Sequence, residues 1–227
     1  MLKSDKLSAD LLLLPEKAIF LKDEQILVVA DLHFGKVSHF RRAGLPVPPA
    51  ANQRNTEALI DIVTAHQPRR VIFLGDLFHS HYNEEWEVVG QIVKHFPACA
   101  FDLIRGNHDI MSERQYHRKG ISVLECERVG HYLLTHEPLP SADIPTSMVN
   151  VAGHIHPGAH LQGRGRQSVT LPCFWFSKNQ IILPAFGSFT GLAAITPSGN
   201  DHVFVVFDNK ILEANKELAR PPSRIKS

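Results

Sequence analysis

Short apolar runs, each followed by a polar turn, dominate the first half of the chain. Three of these runs have the length of buried strands and lie at residues 26–30, 71–74 and 101–104. Between them, two apolar stripes at helical spacing end before Pro68 and Pro97, and Asn83 is a predicted N-cap for the second helix. The first half therefore predicts the order β-α-β-α-β.

The second half of the chain is predicted to consist mostly of strands. Runs 121–125 and 131–134 flank Gly130, and runs 168–176 and 180–183 flank residues 177–179, so each pair predicts a hairpin. A further strand is predicted at 203–207, with a turn at Asp208 and Asn209 into one more. The pattern predicts an α/β (α+β) fold with a mixed sheet, or two packed sheets, and helices on the outside.

Composition limits the fold to one globular domain. The chain has 227 residues, 44% of them apolar, which is enough for a sizeable core, and we expect a single domain over 1–227. Two Pro-rich stretches, residues 43–52 and the tail at 220–227, are expected to be loosely held. The net charge of +1 excludes a broadly basic nucleic-acid coat but does not choose a substrate.

The cysteines and the N-terminus indicate a cytoplasmic protein. Cys99, Cys126 and Cys173 are an odd set without close spacing, which favours a reducing compartment. The apolar run at 11–14 is too short for a signal peptide or a membrane span. We therefore expect no membrane association.

Five polar clusters carry the candidate chemistry, and most of them directly follow an apolar run. They are Asp31-Leu32-His33, Gly75-Asp76, Gly106-Asn107-His108-Asp109, Thr135-His136 and Gly153-His154-Ile155-His156. Strand ends meet at a common edge of a sheet, so side chains far apart in sequence can converge there. The glycines would let the backbone turn sharply and a metal or phosphate approach closely.

The clusters contain enough oxygen and nitrogen donors for two divalent ions, with Asp76 as the bridge. The seven candidate ligands are Asp31, His33, Asp76, Asn107, His136, His154 and His156. Imidazole, carboxylate and amide ligands without thiolate suit manganese, iron, cobalt or zinc better than calcium or magnesium alone. Two carboxylates offset half of the four positive charges, so the site would stay cationic and favour a phosphate. A pair of ions of this kind can clamp an in-line displacement at phosphorus.

In their order and spacing, these motifs resemble the calcineurin-like metallophosphoesterase superfamily over residues 25–160. The variants at 31–36 and 75–80 are most similar to the DNA-ligase-associated metallophosphoesterases of bacteria. The resemblance implies a four-layer αββα sandwich, in which helices flank two mixed sheets and a dimetal site lies at the C-terminal edge of the strands.

The resemblance also implies roles for individual residues. One metal would be bound by Asp31, His33, Asp76 and His156, and the other by Asp76, Asn107, His136 and His154. His108 would protonate the leaving oxygen, and Asp109 would hold its imidazole in place. The implied cofactors are two divalent ions, with Mn²⁺ expected first and iron, cobalt or zinc as alternatives.

Departures from the superfamily pattern narrow the activity. Residues 75–81 lack the Arg and second Asp of the Ser/Thr protein phosphatases, which argues against that activity. The repair nucleases carry an Asp where His79 stands and add a DNA-binding cap, which counts against a structured-DNA nuclease acting alone. His79 and His81 follow Asp76 and are open candidates for contacting substrate or orienting a ligand.

We therefore predict a phosphodiesterase that hydrolyses P–O bonds by attack of metal-bound hydroxide. The resemblance implies a DNA-repair setting with a ligase and a helicase as partners, whereas the residues do not distinguish DNA from a small diester. A phosphomonoesterase acting on a metabolite, and a scaffold for the ligase or helicase, are the alternatives. A homodimer is also open.

Overall fold

A computed structural model describes residues 9–35, 50–78, 84–163, 167–188 and 190–214. Asn83, His79, His81 and the tail at 220–227 lie outside the described residues, as do residues 43–49 of the first Pro-rich stretch. Residues 50–52 of that stretch, expected to be loosely held, begin a helix instead.

Within the described residues, the first sheet contains six strands in chain order. They are β1 (Leu11–Leu14), β2 (Ala18–Leu21), β3 (Ile26–Ala30), β4 (Arg70–Leu74), β5 (Ala100–Ile104) and β6 (Ile121–Leu124). Strands β1 to β3 are antiparallel, and β3 to β6 are parallel. Helices α1 (Ala50–His66), α2 (Glu84–His95) and α3 (Glu113–Arg118) lie in the connections between the parallel strands. The predicted order β-α-β-α-β is confirmed.

The second sheet contains nine strands in the part of the chain that the structure describes, and seven of them follow the order β13-β10-β11-β12-β9-β8-β7. The remaining two extend it from β11, which pairs with β14, and β14 pairs with β15. The strands are β7 (Glu127–Val129), β8 (Tyr132–Thr135), β9 (Val149–Ala152), β10 (Pro157–Gln162), β11 (Ser168–Phe176), β12 (Gln180–Ile182), β13 (Ala193–Ala194), β14 (His202–Phe207) and β15 (Lys210–Glu213). Strands β8, β9 and β12 are parallel.

One predicted hairpin has a different first strand. The strand that turns at Gly130 and pairs with β8 is β7, whereas the run at 121–124 is β6, parallel to β5 in the other sheet. Ile121 is buried among the residues that pack under the helices, and this tertiary contact decides the partner of β6. The hairpins β11–β12 and β14–β15 are as predicted. Asp208 and Asn209 both have positive φ, as a tight two-residue turn requires.

The core has three parts. Residues of α1, α2 and α3 pack on the outer face of the first sheet, and a second cluster fills the space between the two sheets. A smaller cluster on the other face of the second sheet includes Ile195 and Ala214. The expected mixed α/β architecture with two sheets is confirmed, and the described helices lie on the first-sheet side. No helix in the described part of the chain is long and apolar enough to cross a membrane.

Candidate metal centre

All seven candidate ligands lie at one edge, just beyond the ends of strands from both sheets. Asp31 and His33 follow β3, Asp76 follows β4, Asn107 follows β5, His136 follows β8, and His154 and His156 follow β9. The loops after β3 and β4 are joined by a bridge between Phe34 and Phe78. Polar residues that follow strands distant in sequence therefore lie close together, as the sequence analysis predicts.

Three of these residues form a first ligand group, defined as Asp31, His33 and His156. One donor atom from each lies within 4.8 Å of the others. Nε2 of His33 is 3.3 Å from Nε2 of His156, which is 3.7 Å from Oδ1 of Asp31. Two nitrogens bound at about 2.1 Å to one ion would stand about 3.0 to 3.4 Å apart. The spacing of the imidazoles fits a shared cation.

The second ligand group is Asp76, His136 and His154, with Asn107 beside it. Nδ1 of His154 is 3.1 Å from Nε2 of His136, and Oδ1 of Asn107 is 3.0 Å from the same nitrogen. Oδ1 of Asp76 lies 3.6 Å from Nε2 of His136. The membership of both groups agrees with the ligand sets that the resemblance implies.

Asp76 lies between the two groups. Its Oδ1 faces His136 of the second group, while its Oδ2 is 3.8 Å from Nε2 of His33 in the first. The carboxyl is 4% exposed, so its charge is little screened by water. This position is the one required of a carboxylate that bridges two ions.

The chemistry of the buried donors fits a cation. Asp31 is fully buried, and its Oδ2 accepts the backbone N–H of His154 at 2.8 Å. Its Oδ1 has no hydrogen-bond partner among the described residues, which is costly for a buried carboxylate unless a cation is bound. Nδ1 of His136 can donate to the carbonyl of Leu74 at 2.9 Å, which leaves the lone pair of Nε2 for a metal.

The ligand loops have strained backbones. Five of the seven candidate ligands have φ between 48° and 66°, namely Asp31, His33, Asp76, His154 and His156. Such a conformation costs on the order of 1–3 kcal/mol per residue and tends to cluster at functional sites. Hydrophobic periodicity carries no signal for it, so sequence reasoning missed this feature.

Three glycines make room for the ligand side chains. A Cβ on Gly75 would lie 2.1 Å from Nδ1 of His136, and one on Gly153 would lie 2.5 Å from Oδ2 of Asp31. A Cβ on Gly106 would lie 2.4 Å from Oδ1 of Asp76. Sequence reasoning expected these glycines to admit a metal or phosphate, whereas the structure shows them admitting the side chains of neighbouring loops.

Asp109 connects the loops that carry Asp76 and Asn107. Its Oδ2 accepts the N–H of Gly106 at 2.9 Å, and its Oδ1 accepts the N–H of Leu77 at 3.1 Å and the hydroxyl of Tyr116 at 3.3 Å. Burial, reinforced by the charge of Asp76, raises the pKa of Asp109 to about 6 against the effect of its backbone donors. These contacts make it a support for the loops, and its predicted role in orienting His108 stays a prediction.

His108 is half-buried beside the first ligand group. Its backbone N–H donates to Oδ1 of Asp76 at 2.9 Å. Its ring is nearly perpendicular to that of His33, with the centroids 5.6 Å apart. An imidazole in this place can exchange a proton with a molecule bound at the centre.

A second support of the first group was not predicted. Residues 183–188 and 190–193, called here the supporting segment, contact both Asp31 and His156. The N–H of Gly187 donates to the carbonyl of Asp31 at 3.2 Å, and Nδ1 of His156 can donate to that of Gly191 at 3.2 Å. Lys17 donates from Nζ to the carbonyl of Phe186 at 2.6 Å, and burial lowers its pKa to about 8. Lys17 belongs to no motif, so sequence reasoning had no basis for selecting it.

The family model described as calcineurin-like phosphoesterase matches residues 25–178, which is more than half of the chain. The chain belongs to the calcineurin-like phosphoesterase family. Membership implies a phosphoric ester hydrolase with a dinuclear metal site, and the described residues include two groups that could hold a metal ion.

Two solved structures are similar to this chain to different degrees. The nuclease MPE of Pseudomonas putida superposes with a TM-score of 0.73 at 29% identity, covering 89% of this chain and 94% of that one. YfcE, a phosphoesterase from E. coli, gives a TM-score of 0.44 at 14% identity, covering 82% of this chain and 96% of that one. No protein with curated annotation matches the chain significantly.

Proposed function

We propose that this calcineurin-like phosphoesterase is a two-metal phosphodiesterase. The single observation that carries the proposal is the position of Asp76, with one carboxylate oxygen facing each ligand group. Bound divalent ions would supply Lewis-acid activation of water and neutralise the charge that develops on the phosphate. Mn²⁺ is the metal we propose first.

Metal binding, contact with the phosphate and proton donation are assigned to different residues of the chain. The first ligand group together with Asp76 would hold one ion, and the second group together with Asp76 and Asn107 would hold the other. Asn107 is exposed and lies at the surface of the centre, where its amide can also donate to an equatorial phosphate oxygen. His108 would give a proton to the leaving oxygen from its place beside His33.

We propose nucleic acid as the natural substrate class and DNA repair in the cytoplasm as the setting. The support is the nuclease activity named for MPE, which has the same fold and nearly the same length. The matched part of this chain covers 94% of that nuclease. A chain of this length is therefore compatible with nuclease activity even without the DNA-binding cap of the repair nucleases. A DNA ligase and a helicase are the proposed partners, on the resemblance of the motifs at 31–36 and 75–80.

The test combines metal analysis with an activity panel. Purified protein is loaded with Mn²⁺, its bound metal is measured, and rates are compared on an aryl phosphodiester, an aryl phosphomonoester, and single- and double-stranded DNA. We expect two ions per chain and faster diester hydrolysis. A strong preference for the monoester would replace the proposal with a phosphomonoesterase.

Two variants separate metal binding from proton transfer. Asp76→Asn is expected to lose bound metal and at least about 10³-fold in activity, more than the loss of one transition-state donor costs. His108→Ala is expected to keep its metal and lose turnover most on substrates with poor leaving groups. Equal rates of His108→Ala and wild type on good and poor leaving groups would show that His108 is not the proton donor.

Partner binding is tested with the same variant. Pull-down of the ligase and helicase with wild type and with Asp76→Asn shows whether association requires an intact centre. Retained binding by an inactive Asp76→Asn protein, joined to no measurable hydrolysis by wild type, would favour a scaffold.

A further inference from the structure

A pocket of about 500 Å³ opens beside the second ligand group. Asn107 and His136 line one end of it, and its walls come from the loop after β5, the connection from β6 to β7, and the end of β8 with the residues that follow. Because the pocket shares two residues with the candidate metal centre, a group bound in it would lie next to a phosphate bound at the centre.

The wall of this pocket is held by a buried amide. The side chain of Asn150 donates to the carbonyl of Leu133 at 2.9 Å and to Oγ1 of Thr135 at 2.8 Å. Its Oδ1 accepts the N–H of Leu139 at 3.0 Å and Nε2 of Gln180 at 2.9 Å. A fully bonded, fully buried amide fixes these positions, so the pocket exists before a ligand arrives.

The charges around the pocket disfavour a second phosphate. Arg105 is the cationic side chain in the lining of the pocket. Its guanidinium already pairs with Glu113 at 2.8 Å and with Glu125 at 3.5 Å. Glu125 and Glu137 are exposed carboxylates in the lining. An anionic extension of the substrate would meet these carboxylates without an unpaired cation to offset them.

The apolar part of the lining favours a ring. Leu133 and Leu139 are half-buried, and Cys126 is exposed at the opening. Apolar walls with a few polar groups at one end are typical of small-molecule pockets. The face of the paired guanidinium of Arg105 also suits stacking on a planar ring.

We propose that this pocket binds the non-leaving ester substituent of a phosphodiester and selects for one that carries an uncharged aryl or heteroaryl ring and no further phosphate, as a terminal nucleoside of a nucleic acid does. This inference rests on the proposed phosphodiesterase function. The proton donor His108 lies by His33 of the first group, whereas the pocket is lined by residues of the second group. The leaving oxygen therefore points to His108, and the substituent that stays on phosphorus enters the pocket.

The kinetic test uses two diesters with the same leaving group. Bis(p-nitrophenyl) phosphate and methyl p-nitrophenyl phosphate both release p-nitrophenol, but the retained substituent is an aryl ring in one and a methyl group in the other. Cys126→Trp places an indole in the opening. We expect the ratio of kcat/KM for the diaryl to the methyl diester to fall about tenfold or more from its wild-type value, mainly through KM.

Two controls separate pocket filling from other effects. Cys126→Ser keeps the size of the side chain, and Leu212→Trp adds the same indole to an exposed site on β15, remote in the fold. Both are expected to keep the wild-type ratio. An equal fall in Leu212→Trp would show that the effect does not come from the pocket and would overturn the inference.

A binding test needs no turnover. Burial raises the pKa of Cys99 to about 11 and that of Cys173 to about 12, so the exposed Cys126 is the thiol that a methanethiosulfonate reagent modifies first near neutral pH. With Mn²⁺ present, diphenylphosphinate should slow labelling of Cys126 severalfold more than dimethylphosphinate does. Equal protection by the two phosphinates would overturn the inference.

The two proposals fail in different ways. If wild type with Mn²⁺ cleaves neither these two diesters nor DNA, the proposed function is wrong and the pocket inference falls with it. If it cleaves DNA but neither small diester, the proposed function stands and the phosphinate protection of Cys126 decides the pocket inference. If wild type cleaves both diesters and Cys126→Trp leaves their ratio unchanged, only the pocket inference is wrong.

Discussion

The two ligand groups have the same composition but different supports. Each contains one buried carboxylate and two imidazoles. The second group is held by strand backbone, since His136 contacts the carbonyl of Leu74 and accepts the N–H of Gly153 on its own carbonyl. The first group depends on the supporting segment, which reaches Asp31 and His156 from more than 30 residues away in sequence.

Because of this difference in supports, we expect the two groups to differ in how easily a distant substitution disturbs them. His136 and His154 of the second group follow the adjacent parallel strands β8 and β9, and paired core strands are generally among the last parts of a fold to open. The first group is positioned by the supporting segment, and Lys17 and Asn55 in turn hold that segment in place. Oδ1 of Asn55 accepts the N–H and the hydroxyl of Ser188 at 3.1 and 2.7 Å. We expect the first group to be the easier of the two to weaken from outside the centre.

The largest effect should come from filling the space under the second group. Gly75→Ala places a Cβ 2.1 Å from Nδ1 of His136 at a residue with φ of 74°, so His136 must move. Gly153→Ala places its Cβ 2.5 Å from Oδ2 of Asp31, so Asp31 of the first group must move instead. Each variant should bind one ion on the order of 10²-fold more weakly, as for lost supports of metal ligands.

Metal content and a second substitution identify the ion that is lost. Adding His154→Ala to Gly153→Ala should remove the remaining ion, whereas adding His33→Ala should change little. Gly199→Ala is the matched control, because nothing lies within 4 Å of its added Cβ. Two tightly bound ions in Gly75→Ala would contradict the close packing of His136.

A smaller effect is expected from Lys17→Met, which removes the ammonium that holds the supporting segment. We expect affinity for the first ion to fall about tenfold or less, with the second ion unaffected, because Lys17 acts through Phe186 and Gly187 rather than on a ligand. Calorimetric titration of Mn²⁺ into metal-free protein measures both steps. Lys22→Met is the matched control, since Lys22 makes an exposed contact to Ala9, and equal weakening of both ions would remove the distinction between the groups.

The smallest effect is a pH dependence from the same lysine. Burial lowers the pKa of Lys17 from 10.5 to about 8, so between these values the unfolded chain binds one more proton there than the folded chain. The free energy of unfolding should therefore rise with pH over this window in wild type relative to Lys17→Met. Thermal unfolding of both proteins without metal checks this, and a constant difference in Tm would show that the ammonium is not desolvated.

The convergence of the candidate ligands was predictable because these residues lie where apolar runs end. Asp31, Asp76 and Asn107 each follow a parallel strand, and parallel strands bring their C-terminal ends to one edge. The resemblance of the motifs to the family then supplied candidate ligand sets whose members lie close together in the structure. Both signals are local in sequence, which is why they could be read without coordinates.

What could not be predicted depends on tertiary contacts. The run at 121–124 has the same local pattern whether it pairs with β5 or β8, and packing under the helices decides between them. The support of Asp31 by Gly187 and Lys17 has no motif, because carbonyl and N–H groups are present at almost every residue. The positive φ of His33 and His156 is likewise set by the loops around them.

Each ligand group draws on both sheets, so each bound ion would cross-link them at their shared edge. Asp31 and His33 come from the first sheet and His156 from the second, while Asp76 stands opposite His136 and His154. The free energy of metal binding would then oppose separation of the sandwich. Chelation should accelerate amide exchange first in the strand ends at this edge, and a fragment limited to either sheet should retain neither ion.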